Sequence, residues 1–266
     1  NIIDGKINRK ITNLLDKVFN KKNWSESEIE KLLISRGEDF ELVCNAANEL
    51  RKNINGDDIT YAINRNINYT NICTFKCKFC AFSKGKISED LRGKPYDINL
   101  EEIVRRSKEA WERGATEVCL QGGIHPNYTG KTYLDICIAI KKEVPNIHIH
   151  AFSPLEVWQG AKTLSISVKM FLKQLRDAGL DTLPGTAAEV LDDEIRKIIC
   201  PDKLTTKQWL SVMRDAHNVG FRTTATLMYG HVEKPKHIAN HFLRLIELQK
   251  ETGGFTEFVP LPFVHM

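Results

Sequence analysis

The chain has 266 residues, 42% hydrophobic and 27% charged, and a formal net charge of +4, the balance of an ordinary globular protein. That charge is too mild to argue for a nucleic-acid or membrane partner, and no run of about 18 apolar residues offers a membrane span. The opening "NIIDGKINRK" lacks the apolar stretch of a signal peptide. With an end at "PFVHM", the sequence is expected to be a piece of a longer chain.

In chain order, residues 1–58 read as a helical segment, expected to lie as a lid or plug on the remainder of the chain. "SESEIEKLL" offers Ser25 or Ser27 as a cap, with acidic residues in its first turn. "EDFELVCNAANELRKN" sets Leu42, Val43, Ala46 and Leu50 on one face, and "INGDD" ends that helix. From residue 59 strand and helix signals alternate. "ITYAINRNINYT" carries a period-two face of Ile59, Tyr61 and Ile63, then Ile67 and Tyr69. "LEEIVRRSKEAWERG" comes next as a helical stripe of Leu100, Ile103, Val104 and Trp111, with Asn99 as cap and Gly114 as stop. "TEVCLQGG" is a short apolar run suited to a buried parallel strand.

The unit recurs, its helices ending near Pro145, Gly179, Gly220 and Gly253. Six strands are expected, at about 60–69, 116–121, 147–152, 180–185, 221–229 and 255–261. The pattern predicts an α/β fold: a partial TIM-type (βα)6 barrel over residues 59–266, preceded by the N-terminal helical segment. A doubly wound open sheet is the alternative, although no GxGxxG follows the first strand. Arg65 interrupts an apolar strand face, so it either pairs with a site carboxylate or the strand starts later.

Of seven cysteines, Cys44, Cys119, Cys137 and Cys200 are scattered in apolar surroundings and read as small buried hydrophobes. The uneven set points to a reducing, cytoplasmic setting. Cys73, Cys77 and Cys80 cluster in "CTFKCKFC". Structural zinc asks for four ligands, usually as two paired hooks; no second CxxC exists, and His125 and Cys119 lie on another unit. Three thiolates suit a [4Fe–4S] cluster better, leaving one iron open to a small molecule.

Cys-x3-Cys-x2-Cys with an aromatic before the third Cys, after the first strand of a βα array, resembles the radical S-adenosylmethionine (SAM) superfamily. The resemblance implies that Cys73, Cys77 and Cys80 bind the cluster, that its open iron chelates SAM, and that an electron splits SAM to a 5′-deoxyadenosyl radical. Phe79 would line the adenine side, and Gln121, Gly122 and Gly123 would meet the methionyl amino group. The usual Glu after the paired glycines is replaced by Ile124 and His125. More narrowly, "NRNINYTNIC", "CKFCAFSKGK", "ATEVCLQGGIHP", "HIHAFSPLEV", "AGLDTLPGTAAEVLDDEIR", "TTATLMYGHVE" and "GGFTEFVPLPFVH" resemble the tyrosine-using half of FO synthase. The radical SAM enzymes of the futalosine route to menaquinone, aminofutalosine synthase and dehypoxanthine futalosine cyclase, share several of these segments.

The FO resemblance implies that L-tyrosine loses its side chain as a 4-hydroxybenzyl radical, which adds to 5-amino-6-(D-ribitylamino)uracil. A companion cyclising radical SAM subunit and a reductant protein are the implied partners. Candidate substrate-binding residues are Tyr69, His125, His150, Glu156, His231 and Glu257, with Ser153 and Glu189 placed on the cofactor side. Each has a plainer reading, among them a satisfied strand-end His, a helix cap at Glu156 and a solvent-facing Glu257. Asn71 and Glu233 stand beside these positions, and Asp192, Asp193 and Glu194 read as a helix first turn. The basic run "KGKISEDLRGK" reads as a solvated loop or a docking patch for an electron donor. Two other classes remain open, a zinc-binding module and a tRNA-modifying enzyme.

Overall fold

The computed structural model describes residues 9–20, 23–75, 77–80 and 94–264. Most of the basic run after the cysteines lies outside the described residues. Three helices come first: α1 (Arg9–Phe19), α2 (Glu26–Leu33) and α3 (Glu38–Asn55). Ser25 opens α2 with a capping box to Glu28. On α3 the stripe Leu42, Val43, Ala46 and Leu50 is half-covered, and no residue is fully buried.

The strands are β1 (Asn64–Asn68), β2 (Glu117–Gln121), β3 (His148–Ala151), β4 (Thr182–Leu183), β5 (Arg222–Tyr229) and β6 (Phe255–Pro262). The helices after α3 are α4 (Leu100–Glu112), α5 (Gly130–Glu143), α6 (Pro154–Thr163), α7 (Val168–Asp177), α8 (Asp193–Ile199), α9 (Thr206–Val219) and α10 (Pro235–Thr252). The N-terminal helices meet the rest of the chain where α2 packs on α10. Every strand pair is parallel, and the order across the sheet is the order in the sequence. A doubly wound sheet reverses its strand order part-way; this one does not. The fold is a partial TIM-type barrel.

Strand alternation gives the sheet two chemically different faces. Outward, Ile67, Val118, Leu120, Ile149, Ala151 and Leu183 are all 0% exposed and join helix residues such as Ile140, Phe171 and Leu172 in one core. Inward lie Asn64, Asn66 and Asn68, then Glu117, Cys119 and Gln121, then His148 and His150, then Thr182. The core therefore sits between sheet and helices, and the barrel interior is polar.

Several expected boundaries move. The first strand starts at Asn64 because pairing begins with Asn64 opposite Glu117; upstream, Ile59, Tyr61 and Ile63 are exposed, since alternation without a partner strand buries nothing. Arg65 stays in the strand and pairs with Glu109 of α4 at 2.8 Å, a helix carboxylate rather than one of the candidate site acids. The fourth strand is only two residues long. After it Gly185 is held by side chains, its N–H donating to Thr224 Oγ1 at 2.8 Å and its carbonyl accepting from Thr226 Oγ1 at 2.7 Å. Among the scattered cysteines, Cys137 and Cys200 are buried as expected, whereas Cys119 is half-buried on the polar inner face and Cys44 is exposed.

Helix ends follow their caps. The Asn99 side chain accepts from Glu102 N–H, and α9 stops at Gly220, whose φ of 104° is left-handed. Burial holds His150 and His217 down to about 4, and His241 down to about 3. The folded rings stay neutral where the unfolded chain, titrating near 6.5, takes up protons, so stability falls as pH drops below that value. Urea denaturation at stepwise pH is expected to show stability declining from about pH 6.5 toward pH 4. A flat profile across that window would contradict the burial of these rings.

Candidate functional site

Cys73, Cys77 and Cys80 line one cavity with Gln121, Gly122, Gly123, Ser153, Glu156 and Lys203. It opens at the C-terminal ends of β1 to β3, where this barrel type carries its chemistry. The cysteine loop is tied down by backbone bonds. Thr74 N–H donates to Ile124 O at 2.9 Å, Gly123 N–H to Thr70 O at 2.9 Å, and Lys78 N–H to Ile199 O at 3.1 Å. Both glycines are required by close approach. A Cβ on Gly122 would stand 2.3 Å from the Tyr69 ring, and one on Gly123 would stand 2.2 Å from the Ile72 carbonyl oxygen.

The donor set fits an iron–sulfur cluster. Ile124 N–H points at Cys73 Sγ from 3.3 Å, the kind of bond that tunes cluster thiolates. Burial pushes the Cys77 thiol up to about 12 and raises Cys73 as well; a metal deprotonates such thiols outright. Among the described residues that line the cavity there is no fourth cysteine and no histidine. Three donors are what a [4Fe–4S] cluster with one open iron needs, and one fewer than structural zinc takes.

Glu156 forms the base of the wall. Ser153 N–H donates to its Oε2 at 2.7 Å, and the Tyr69 hydroxyl donates to Oε1. Ser153 Oγ returns a cap to Glu156 N–H, so the helix-cap reading and the cavity position hold together. Burial raises the Glu156 carboxyl even though these bonds oppose it. Tyr69 is itself fully buried, packed on Tyr128 and Phe152.

Lys203 is the feature that motif reading missed. Its Nζ lies 2.7 Å from Glu189 Oε1 and 5.3 Å from the centre of the Phe79 ring. Burial pulls the ammonium down, but Glu189 and the Cys77 thiol outweigh it, and the net shift is upward. In sequence it is one lysine in the turn "PDK", with no periodicity to mark it. Glu189, expected on the cofactor side, is 9% exposed, with a left-handed φ of 48°.

The remaining candidates disperse. Phe79 and His231 share an adjoining cavity with Met228 and Phe263, and His231 Nδ1 is 3.2 Å from Glu233 Oε2. His125 lines a third cavity with Tyr128 and Tyr133, its Nδ1 accepting from Asn127 N–H at 3.2 Å. His150 lies on the inner face one layer below Gln121. Glu257 is exposed on β6. Asn71 clasps the backbone at Lys94 and Tyr96. Asp192, Glu194 and His237 also converge, with Asp192 capping α8. His237 Nδ1 accepts from Lys234 N–H, so in the neutral ring Nε2 carries the proton and is not a free lone pair for a metal; it lies 3.4 Å from Glu194 Oε2 without a hydrogen bond.

Comparison with known proteins completes the picture. The radical SAM superfamily pattern matches residues 67–245. The chain belongs to the radical SAM superfamily. Within it, the chain falls in the family of the 5-amino-6-(D-ribitylamino)uracil–L-tyrosine 4-hydroxyphenyl transferase of Methanococcus aeolicus, to which it is 48% identical over 250 residues, covering 91% of this chain and 68% of that one. It is 45% identical over 241 residues to the FO synthase of Streptomyces coelicolor, covering 91% of this chain but only 27% of that protein. This radical SAM chain also shares its fold with the FeFe-hydrogenase maturase HydG from Carboxydothermus hydrogenoformans, with TM-score 0.73, 18% identity, 97% of this chain covered and 57% of that one. The superfamily's cofactors are a [4Fe–4S] cluster and SAM. No helix among the described residues is long and apolar enough to cross a membrane.

The tight approach at Gly123 yields a direct expectation. Gly123→Ala would force the Ile72 carbonyl and Cys73 apart and is expected to lower iron per chain after anaerobic reconstitution by at least about half. Iron and sulfide analysis beside a far-UV spectrum reads this; full loading in the variant would show that the close approach is dispensable.

Proposed function

We propose that this chain is the tyrosine-using half of an FO synthase activity, joining the 4-hydroxybenzyl group of L-tyrosine to 5-amino-6-(D-ribitylamino)uracil. The observation that carries this reading is the 48% identity to the Methanococcus aeolicus transferase across 91% of the chain. In this reading Cys73, Cys77 and Cys80 hold three irons of the cluster, and Gln121, Gly122 and Gly123 meet the amino group of SAM. Phe79 stands on the adenine side, while Ser153 and Glu189 complete the cofactor wall. When bound, the cluster and SAM supply an electron and a hydrogen-abstracting carbon radical.

The chain's own contribution is binding, orientation and exclusion. Lys203, its ammonium paired with Glu189, forms part of the lining of the cysteine cavity. Glu156 and Tyr69 fix the wall against which substrate rests, and His150 lies on the inner face one layer below Gln121. His125, His231 and Glu257 serve the substrate from neighbouring surfaces. A dry, enclosed site keeps a reactive carbon radical away from stray hydrogen donors. The product passes to a cyclising radical SAM partner, and a reductant protein supplies the electron.

The test is anaerobic turnover of the reconstituted protein with SAM, dithionite and tyrosine, with and without the ribitylaminouracil. Mass spectrometry is expected to show 5′-deoxyadenosine and an adduct carrying the hydroxybenzyl group. Cys77→Ser is expected to lose the cluster absorbance and both products. Deoxyadenosine without adduct would move the substrate to another pathway, such as the futalosine one, and an absence of cluster and SAM cleavage would remove the reading altogether.

A further inference from the structure

His148 Nε2 and His150 Nδ1 each lie 2.7 Å from the Thr182 hydroxyl oxygen, on the inner face of the barrel. A hydroxyl has one proton to give and two lone pairs to accept with, so at most one ring accepts from Oγ1. With the other ring donating to it, the chain of bonds has a direction. Reversing it moves a proton from one ring to the other without moving a heavy atom.

The trio also spans two layers of the barrel. Register sets His148 beside Glu117 and His150 beside Cys119. Gln121, two residues further along β2, lines the cysteine cavity, about 7 Å above that layer. At the far end the His148 side chain is 39% exposed, and its Nε2 is 3.8 Å from Glu117 Oε2. The His150 end stands one strand layer below Gln121 of the cavity lining, and the His148 end looks toward water and a carboxylate. The charged and titratable groups facing the trio are Glu117 and Cys119 from β2, Glu257 from β6, and Arg222, in register with Thr182. Burial keeps His150 neutral down to about pH 4. Burial also raises Glu117, with Glu257 adding to the rise and His148 opposing it.

We propose that His150, Thr182 and His148 form a proton relay between the substrate cavity and the opposite end of the barrel. The proposal deepens the function proposed above and rests on it for the substrate. His150 Nε2 takes a proton from a substrate N–H or O–H group. Its Nδ1 proton passes to Thr182 Oγ1, and the Thr182 hydroxyl proton passes to His148 Nε2. The resulting imidazolium lies beside Glu117 and returns the proton to water. One N–H or O–H bond breaks for each that forms, and no electron moves. The opposite polarity would leave the charge on the more buried ring, far from Glu117, which low-dielectric surroundings disfavour. Thr182 is a positioning residue here, since it acts only through the two rings.

Thr182→Val keeps the side-chain shape and removes the hydroxyl, and Thr182→Ser restores it. In the holoenzyme, T182V is expected to lower adduct formation roughly a hundredfold, the scale of acid–base catalysis. Its KM for tyrosine is expected to stay within about twofold of wild type, and its solvent deuterium isotope effect to collapse. T182S is expected to recover most of the rate and the wild-type pH profile. Wild-type turnover and pH profile in T182V would overturn the relay. So would a T182S enzyme as impaired as T182V, because the trio would then be strand packing. Imidazole nitrogen NMR of the substrate-free holoenzyme is independent of turnover: both rings are expected as Nδ1–H tautomers, and a His148 Nε2–H beside a His150 Nδ1–H would refute the relay. Should the wild type form no adduct, the proposed function falls, while the tautomers still decide the relay.

Discussion

Glu156 is 2% exposed, yet it holds the ends of three strands together. Its carboxylate accepts the Tyr69 hydroxyl from beyond β1, the Gly122 N–H from beyond β2, and the Ser153 N–H at the start of α6. A buried carboxylate is costly unless its lone pairs are filled, and here the partners come from separate strands. The bonds act as a strap across the C-terminal edge of the sheet. Gly122 and Gly123 continue directly into contact with Tyr69 and the cysteine loop, so the cavity takes its shape from how this one acid is satisfied.

The second constraint is the division of the strands into an apolar outer and a polar inner face. Ile67, Val118, Leu120 and Ile149 pack the sheet against its helices. The inner row is thereby released for hydrogen bonding, and it carries Asn64, Glu117, His148, His150 and Thr182 in adjacent register. Their side chains answer to one another across strands rather than to a packed core.

The parts legible in the sequence were those encoded by local spacing. The three cysteines declare themselves within eight residues, and the strand–helix alternation needs only apolar periodicity and the glycine stops. Partners distant in the chain left little trace. Tyr69 and Glu156 are 87 residues apart, and the same strand-end tyrosine could equally have faced a ligand. Lys203 sits in a turn whose place over Phe79 depends on the packing of α8. The early start expected for β1 failed for a related reason: Ile59, Tyr61 and Ile63 alternate as a strand does, but no neighbour pairs with them. Periodicity reports a capacity to be a strand, and pairing decides whether one forms.

The outward-facing core has an evolutionary corollary. Because folding stability resides between sheet and helices, side chains of the inner row can change their chemistry at modest cost to the fold. A protein only 18% identical keeps the same architecture. Selection can thus alter what the barrel acts upon while leaving intact the scaffold that keeps the cysteine loop in place, and new activities can arise by substitution along a few strand positions without rebuilding the chain.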